Sequence, residues 1–185
     1  MKKLLTLVLA LMLLCGVALA DVVDFGDFTM DLDPTTLVSR FEKQEAQVFL
    51  GLFPNYDENA ASHPNLSVVW QEGVSDLASM DPQNVAAALM EEIYPGLESQ
   101  GMKVTNVTLL GADHDEHEGV PALSVVYTYD VDYSGMGIDK QMTLFMAETF
   151  ISQPGIGTYI FTCTAADLEG LQTLIDVMNT IKWNF

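Results

Sequence analysis

The residues Asp113-His114-Asp115-Glu116-His117-Glu118 form an unbroken run of side chains that can ligate a metal. Imidazole nitrogen combined with carboxylate oxygen suits Zn²⁺, Mn²⁺ or Ni²⁺. Two histidines three apart converge when they ride on a helix. Here the flanking segments Val104 to Leu110 and Leu123 to Val131 read as strands, which makes the acidic stretch a mobile hairpin tip. The His-Glu-x-x-His pattern of metallopeptidases does not occur. Asp113, His114, Asp115 and His117 are therefore candidate ligands for a weakly bound, exchangeable divalent metal. The competing reading is a solvated acidic turn, the usual role of a charge run. No other cofactor is implied.

Asp130-Val-Asp132-Tyr-Ser134-Gly135 has the oxygen spacing that opens a calcium loop. The twelfth position is Gln141 instead of a bidentate Glu, and the flanks read as strands, so a hairpin turn is expected. Nucleophilic catalysis has little to build on. Ser134 lacks a Gly-x-Ser-x-Gly setting, and His63 precedes Pro64 in a loop. Cys163 alternates with Phe161 and Tyr159, which predicts a buried strand thiol. Gly155-Ile-Gly157 is too short for a phosphate cradle. Asn65-Leu-Ser67 and Asn106-Val-Thr108 match the glycosylation tripeptide but fall on predicted strands. Trp70 and Trp183 read as packing aromatics.

The elements that must position these residues follow from periodicity. Leu171, Leu174, Ile175, Met178 and Ile181 recur at helical spacing after Thr164-Ala-Ala-Asp167, which has capping-box spacing. Asp81-Pro82 starts another helix, with a Val85, Leu89, Ile93 stripe, and Pro95-Gly96 should kink or end it. Phe25 to Leu32, Ala46 to Phe53, Leu66 to Gln71 and Val104 to Leu110 read as short strands. Leu123 to Val131, Gln141 to Ile151 and Gly157 to Thr164 are longer ones, and successive strands without intervening helices predict an antiparallel meander. Pro34 to Lys43 is expected to hold a helical turn with Leu37 and Phe41 facing in, and Asn55 to Pro64 a surface loop. The fold class is α+β: an antiparallel β-sheet flanked by helices.

The start of the chain is an address. Met1-Lys2-Lys3, the apolar stretch Leu4 to Leu14 and Ala18-Leu19-Ala20 give the three parts of a secretory signal, with cleavage expected after Ala20. Residues 1–20 are thus a cleaved signal peptide, and residues 21–185 form one α+β domain. Leu14 before Cys15 is too bulky for lipoprotein processing, and no segment after the signal is long and apolar enough to span a bilayer. Cleavage would leave Cys163 alone, so no internal disulfide can form. Over the 185 residues, 26 Asp and Glu face 7 Lys and Arg, a formal charge of −19 that opposes unaided binding to nucleic acid.

The order of elements carries a resemblance. Short N-terminal strands lead to the Asn65-Leu-Ser-Val-Val-Trp70 strand and a helix. A Gly119-Val-Pro-Ala122 hairpin, two long strands, the Tyr159-Ile-Phe-Thr-Cys-Thr-Ala165 strand and a closing helix ending in Ile181-Lys-Trp-Asn-Phe185 follow. Residues 24 to 185 resemble the PsbP-like family, which includes photosystem II extrinsic subunits, a Ran-binding import factor and small bacterial secreted proteins. The resemblance implies an α/β/α sandwich and a role in protein binding or assembly, with no catalytic residues to carry over. The expectation is an exported bacterial, non-enzymatic binding or assembly protein, secreted or extracytoplasmic, whose partner is an envelope or secreted protein. The alternative is an extracytoplasmic metal-binding protein or metal-dependent enzyme that uses the 113–118 loop. A third class, a hydrolase, would need carboxylates that converge only in space.

Overall fold

Alternating side chains dominate the second half of the chain, and the computed structural model places its four long strands in one meander. It describes residues 21–58 and 63–185; the expected signal peptide lies outside them. Strands β1 (Asp21–Asp24), β2 (Phe28–Leu32), β3 (Leu37–Arg40), β4 (Gln47–Phe53) and β5 (Asn65–Gln71) precede helix α1 (Pro82–Glu98). Strands β6 (Lys103–His117), β7 (Val120–Asp132), β8 (Gln141–Gln153) and β9 (Gly157–Ala165) follow, then helix α2 (Leu168–Met178) and the short β10 (Lys182–Trp183). The main sheet has the order β3-β4-β5-β9-β8-β7-β6, and every pairing in it is antiparallel. A small sheet, β1-β2-β10, lies apart from it.

Period-two alternation sends successive residues to opposite faces, and both faces are covered. On one, Leu52, Leu66, Phe161 and Cys163 pack against Phe28 and Met30 of the small sheet and Leu171, Leu174 and Met178 of α2. On the other, Leu123, Val125, Tyr127, Tyr129 and Val131 pack against Ala86, Val85 and Leu89 of α1. The expected antiparallel sheet with flanking helices is what forms.

Five local expectations are corrected. Pro34 to Lys43 holds no helical turn. Asp33 Oδ1 accepts from the Thr35 N–H at 2.8 Å, and this side-chain turn launches β3, whose Leu37 and neighbouring Phe41 are exposed. Thr164 stays in β9, and Asp167 itself caps α2, accepting from the Gly170 N–H at 2.7 Å. Ile175 is only partly buried in α2. Helix α1 runs through Pro95 to Glu98 instead of ending there; packing of its apolar stripe on β6 and β7 outweighs one missing backbone hydrogen bond. Finally, the acidic run is not a loop. Strand β6 continues to His117, and the turn is only Glu118-Gly119, both in the left-handed region at φ 52° and 80°. That is the geometry a two-residue hairpin requires, and Gly119 supplies it without strain.

Candidate functional site

The strand face under α1 contains a carboxylate where its period calls for an apolar side chain. Along β8, Met142, Leu144, Met146, Glu148 and Phe150 share this face, and the register sets Glu148 between Val125 of β7 and Thr162 of β9. The Tyr127 hydroxyl donates to Glu148 Oε1 at 2.5 Å. Burial holds the Glu148 carboxyl above its usual range; the Tyr127 bond opposes this, and the negative charge of Glu92 on α1 adds to it. Burial likewise drives the Tyr127 hydroxyl far up, so it remains a donor, and pushes Tyr129 up to about 12. Among the described residues no cation lies within ion-pair distance of Glu148.

One row along, Leu123 and Phe150 floor a cavity of about 250 Å³ between the sheet and α1. Leu77, Met80, Val85 and Leu89 supply its apolar walls, and Glu92 is the one carboxylate among its lining residues. Asp81 fixes the start of α1 beside it, accepting from the Gln83 N–H at 2.9 Å. The opposite wall is tied down by a hydroxyl chain. Ser152 Oγ accepts from the Ser75 N–H at 2.9 Å and lies 3.0 Å from Thr158 Oγ1, which donates to the Gly73 carbonyl at 3.1 Å. An apolar pocket with one charged rim and a second, desolvated carboxylate behind it suits an apolar side chain flanked by a cation.

The residues singled out in the sequence are placed otherwise. On a paired strand, Asp113, Asp115 and His117 share one side and His114 and Glu116 the other. His117 is buried with its Nε2 unpartnered, 3.6 Å from Asp115 Oδ2, whereas His114 is exposed. The strand therefore parts the two histidines, and among the described residues no three His, Cys, Asp or Glu side chains gather in metal-holding geometry. The acidic run has a visible structural task. Strand β6 is a sheet edge, and Asp113 and Asp115 each turn a carboxylate onto the next residue's N–H, at 2.8 Å in both cases. Backbone donors covered by charge cannot pair with a passing strand.

Asp130 and Asp132 spend their oxygens inside the protein. Asn106 and Thr143 donate to Asp130, and the Ser134 N–H and Gln141 donate to Asp132. These bonds hold both carboxyls below the usual range. The segment is the hairpin turn that its flanks predict. Cys163 is fully buried and its thiol is pushed up to about 12 by desolvation, as befits a packing residue. His63 stacks on Tyr56 with ring centroids 4.7 Å apart.

Glu148, Tyr127 and Glu92 belong to no motif in the sequence. A signal was present: Glu148 interrupts an otherwise apolar row at alternate positions of β8. Nothing local marked Tyr127 as its partner, because a cross-strand diagonal depends on register.

No protein-family model matches this chain, and no curated protein matches it in sequence. Solved structures match it in shape, among them a cyanobacterial and a yeast protein. Cyanobacterial PsbP (CyanoP) from Synechocystis sp. PCC 6803 has a TM-score of 0.61 at 13% identity, over 91% of this chain and 94% of that one. The Ran-binding protein Mog1p of Saccharomyces cerevisiae has a TM-score of 0.55 at 11% identity, over 89% and 95%. Identities this low establish architecture and nothing finer. The chain has the PsbP-like α+β fold.

Proposed function

We propose that this is an exported, non-enzymatic binding or assembly protein that takes a basic, partly apolar segment of an envelope or secreted protein at the cleft between α1 and the sheet. The observation that carries the reading is Glu148: a desolvated carboxylate with one hydroxyl donor, a second carboxylate nearby, and no cation beside it among the described residues. A partner's Arg or Lys would supply the missing charge, while its apolar neighbour enters the 250 Å³ cavity. The overall charge of −19 favours encounter with a basic partner. The three-part signal pattern supports export. One structural neighbour, yeast Mog1p, is a Ran-binding protein, so the architecture is compatible with protein recognition.

The test places a photo-crosslinking residue at Met80, which lines the cavity and is 40% exposed, and a control at Phe185, which is 51% exposed at the C-terminus. The expected result, in the extracytoplasmic fraction of the native host, is one defined adduct from position 80 that Glu92→Lys abolishes. Equal labelling from positions 80 and 185, or an adduct indifferent to Glu92→Lys, would remove the cleft from consideration.

A further inference from the structure

The sheet is covered unevenly on the α1 side. Helix α1 packs over β6 and β7, and no second helix of the described residues lies on that face. Beyond β8 the register carries the face outward in rows. Glu148 stands opposite Thr162, which stands opposite Ser67; Phe150 stands opposite Ile160, which stands opposite Val69. Val69 and Ile160 are on central strands, yet both are only half-buried, and neither packs into either apolar core of the described residues. Their chain neighbours Val68 and Phe161, on the other face, are fully buried with β2 and α2. A β-branched pair in the middle of a sheet is the kind of surface that another layer covers.

The uncovered strip has the width of one helix. Strands lie about 4.8 Å apart and packed helices about 8–10 Å apart, so a neighbour of α1 falls over β8 and β9. Toward that place α1 turns Val85, Ala88, Leu89 and Glu92, an i, i+3, i+4, i+7 stripe that lines the 250 Å³ cavity and whose Ala88 and Glu92 are exposed. The floor is low at Thr162 and Ser67 and apolar at Ile160 and Val69. Strands β8, β9 and β5 are interior to the sheet and paired on both sides. A segment laid on this face therefore finds no free ladder and must satisfy its own N–H and C=O groups. A helix does so and an extended chain does not.

We infer that the partner segment taken at the cleft is an amphipathic helix that lies beside α1 across β8 and β9, with a Lys or Arg over Glu148 and an apolar side chain one turn away in the cavity floored by Phe150. This rests on the cleft reading given above. The spacing follows from register: Glu148 and Phe150 are two residues apart on β8, about 6.7 Å, which a helix covers in about four residues. Charge selects the occupant. Among the described residues no cation lies within ion-pair distance of Glu148 or Glu92, and α1 carries no basic residue along its length. A second copy of this chain would bring its own formal charge of −19 to the same acidic wall and be repelled. A helix with Lys or Arg on its buried face is complementary to that wall.

Photo-crosslinking residues are placed singly at Ile160 and at Thr164 of the full chain in its native host, beside the Met80 site, and the crosslinked residue of the partner is read by mass spectrometry. Ile160 and Thr164 share one face of β9, four residues and about 13 Å apart. A helix rises about 1.5 Å per residue, so their adducts should fall on one partner segment about seven to nine residues apart, against about four for an extended chain. Thr162→Arg, which sets a cation in the row of Glu148, should cut the adduct from position 164 about tenfold or more, and Thr162→Val should leave it intact. Adducts about four residues apart, adducts to a second copy of this chain, or equal yields in the two Thr162 variants would each overturn the inference. So would silence from positions 160 and 164 beside a Met80 adduct that Glu92→Lys abolishes, a result that leaves the cleft reading standing. No adduct from any of the three positions removes both. Val69, directly opposite Ile160, takes its place should the variant at 160 lose its native circular dichroism.

Discussion

Replacing Tyr127 by Phe isolates the bond on which the cleft reading rests. The side chain is 1% exposed and its hydroxyl donates to Glu148 Oε1 at 2.5 Å, so Phe keeps the ring packing and deletes one oxygen. With Glu148 ionised the lost bond is charge-assisted, worth about 1.5–3 kcal/mol; with Glu148 protonated it falls to about 0.5–1.5 kcal/mol. The sign of the pH dependence follows from linkage. Burial raises the folded carboxyl above its unfolded value, so at low pH both states hold the proton and there is no penalty. As pH rises the unfolded chain ionises first, and stability is lost until the folded carboxyl ionises too. Tyr127 opposes that rise, so its removal widens the window and deepens the loss on the alkaline side. Urea unfolding of Tyr127→Phe should therefore show a larger destabilisation at pH 8 than at pH 4, by about 1 kcal/mol, as a shift in midpoint with unchanged slope. In a Glu148→Gln background the difference between the two pH values should vanish. A Phe variant equally destabilised at both, or as stable as wild type at pH 8, would refute the account of Glu148 as a desolvated charge held by one donor.

Two further outcomes test the frame around the site. Leu174 is 0% exposed where α2 meets the sheet and the small β1-β2-β10 sheet, so Leu174→Ala should cost about 2–5 kcal/mol in the same unfolding assay. A loss below about 0.5 kcal/mol would place that face of α2 in solvent. For the acidic strand, calorimetric titration with Zn²⁺ should give weak binding that His114→Ala leaves unchanged, since His114 points away from the side that Asp115 and His117 share. A drop in affinity on His114→Ala would bring both histidines back into one ligand set.

The long strands were legible from the chain alone because their signal is local. Leu123 to Val131 alternates over a full strand, and no helical period competes with it. The neighbour order β6-β7-β8-β9 followed for the same reason: short connections leave successive strands little choice but to pair. The start of α1 was nearly as clear, since Asp81 bonds to backbone two residues on, whereas the cap of α2 lies at Asp167, three residues beyond the Thr164 expected. The Asp113–Glu118 run misled for an instructive reason. Its charge reads as a loop, yet a sheet edge exposes one side of its strand to water, so a solvated sequence and a paired backbone coexist there. Composition alone fixed acidity, and residue order fixed the export pattern, the strand periods and the buried setting of Cys163.

Only the tertiary structure could assemble these groupings. Tyr127 meets Glu148 from the adjacent strand, 21 positions away, and Glu92 approaches from a helix on another layer. The Lys43–Asp27 ion pair, with the Tyr159 hydroxyl and the Trp70 ring beside it, likewise joins segments spread across 132 positions of chain. Each of these residues is unremarkable in its own neighbourhood, a strand aromatic or one acid among 26. Their chemistry arises from register and desolvation, which exist only after the layers close: pairing sets Trp70 across from Tyr159, and burial turns an ordinary Glu148 into a charge that needs a partner.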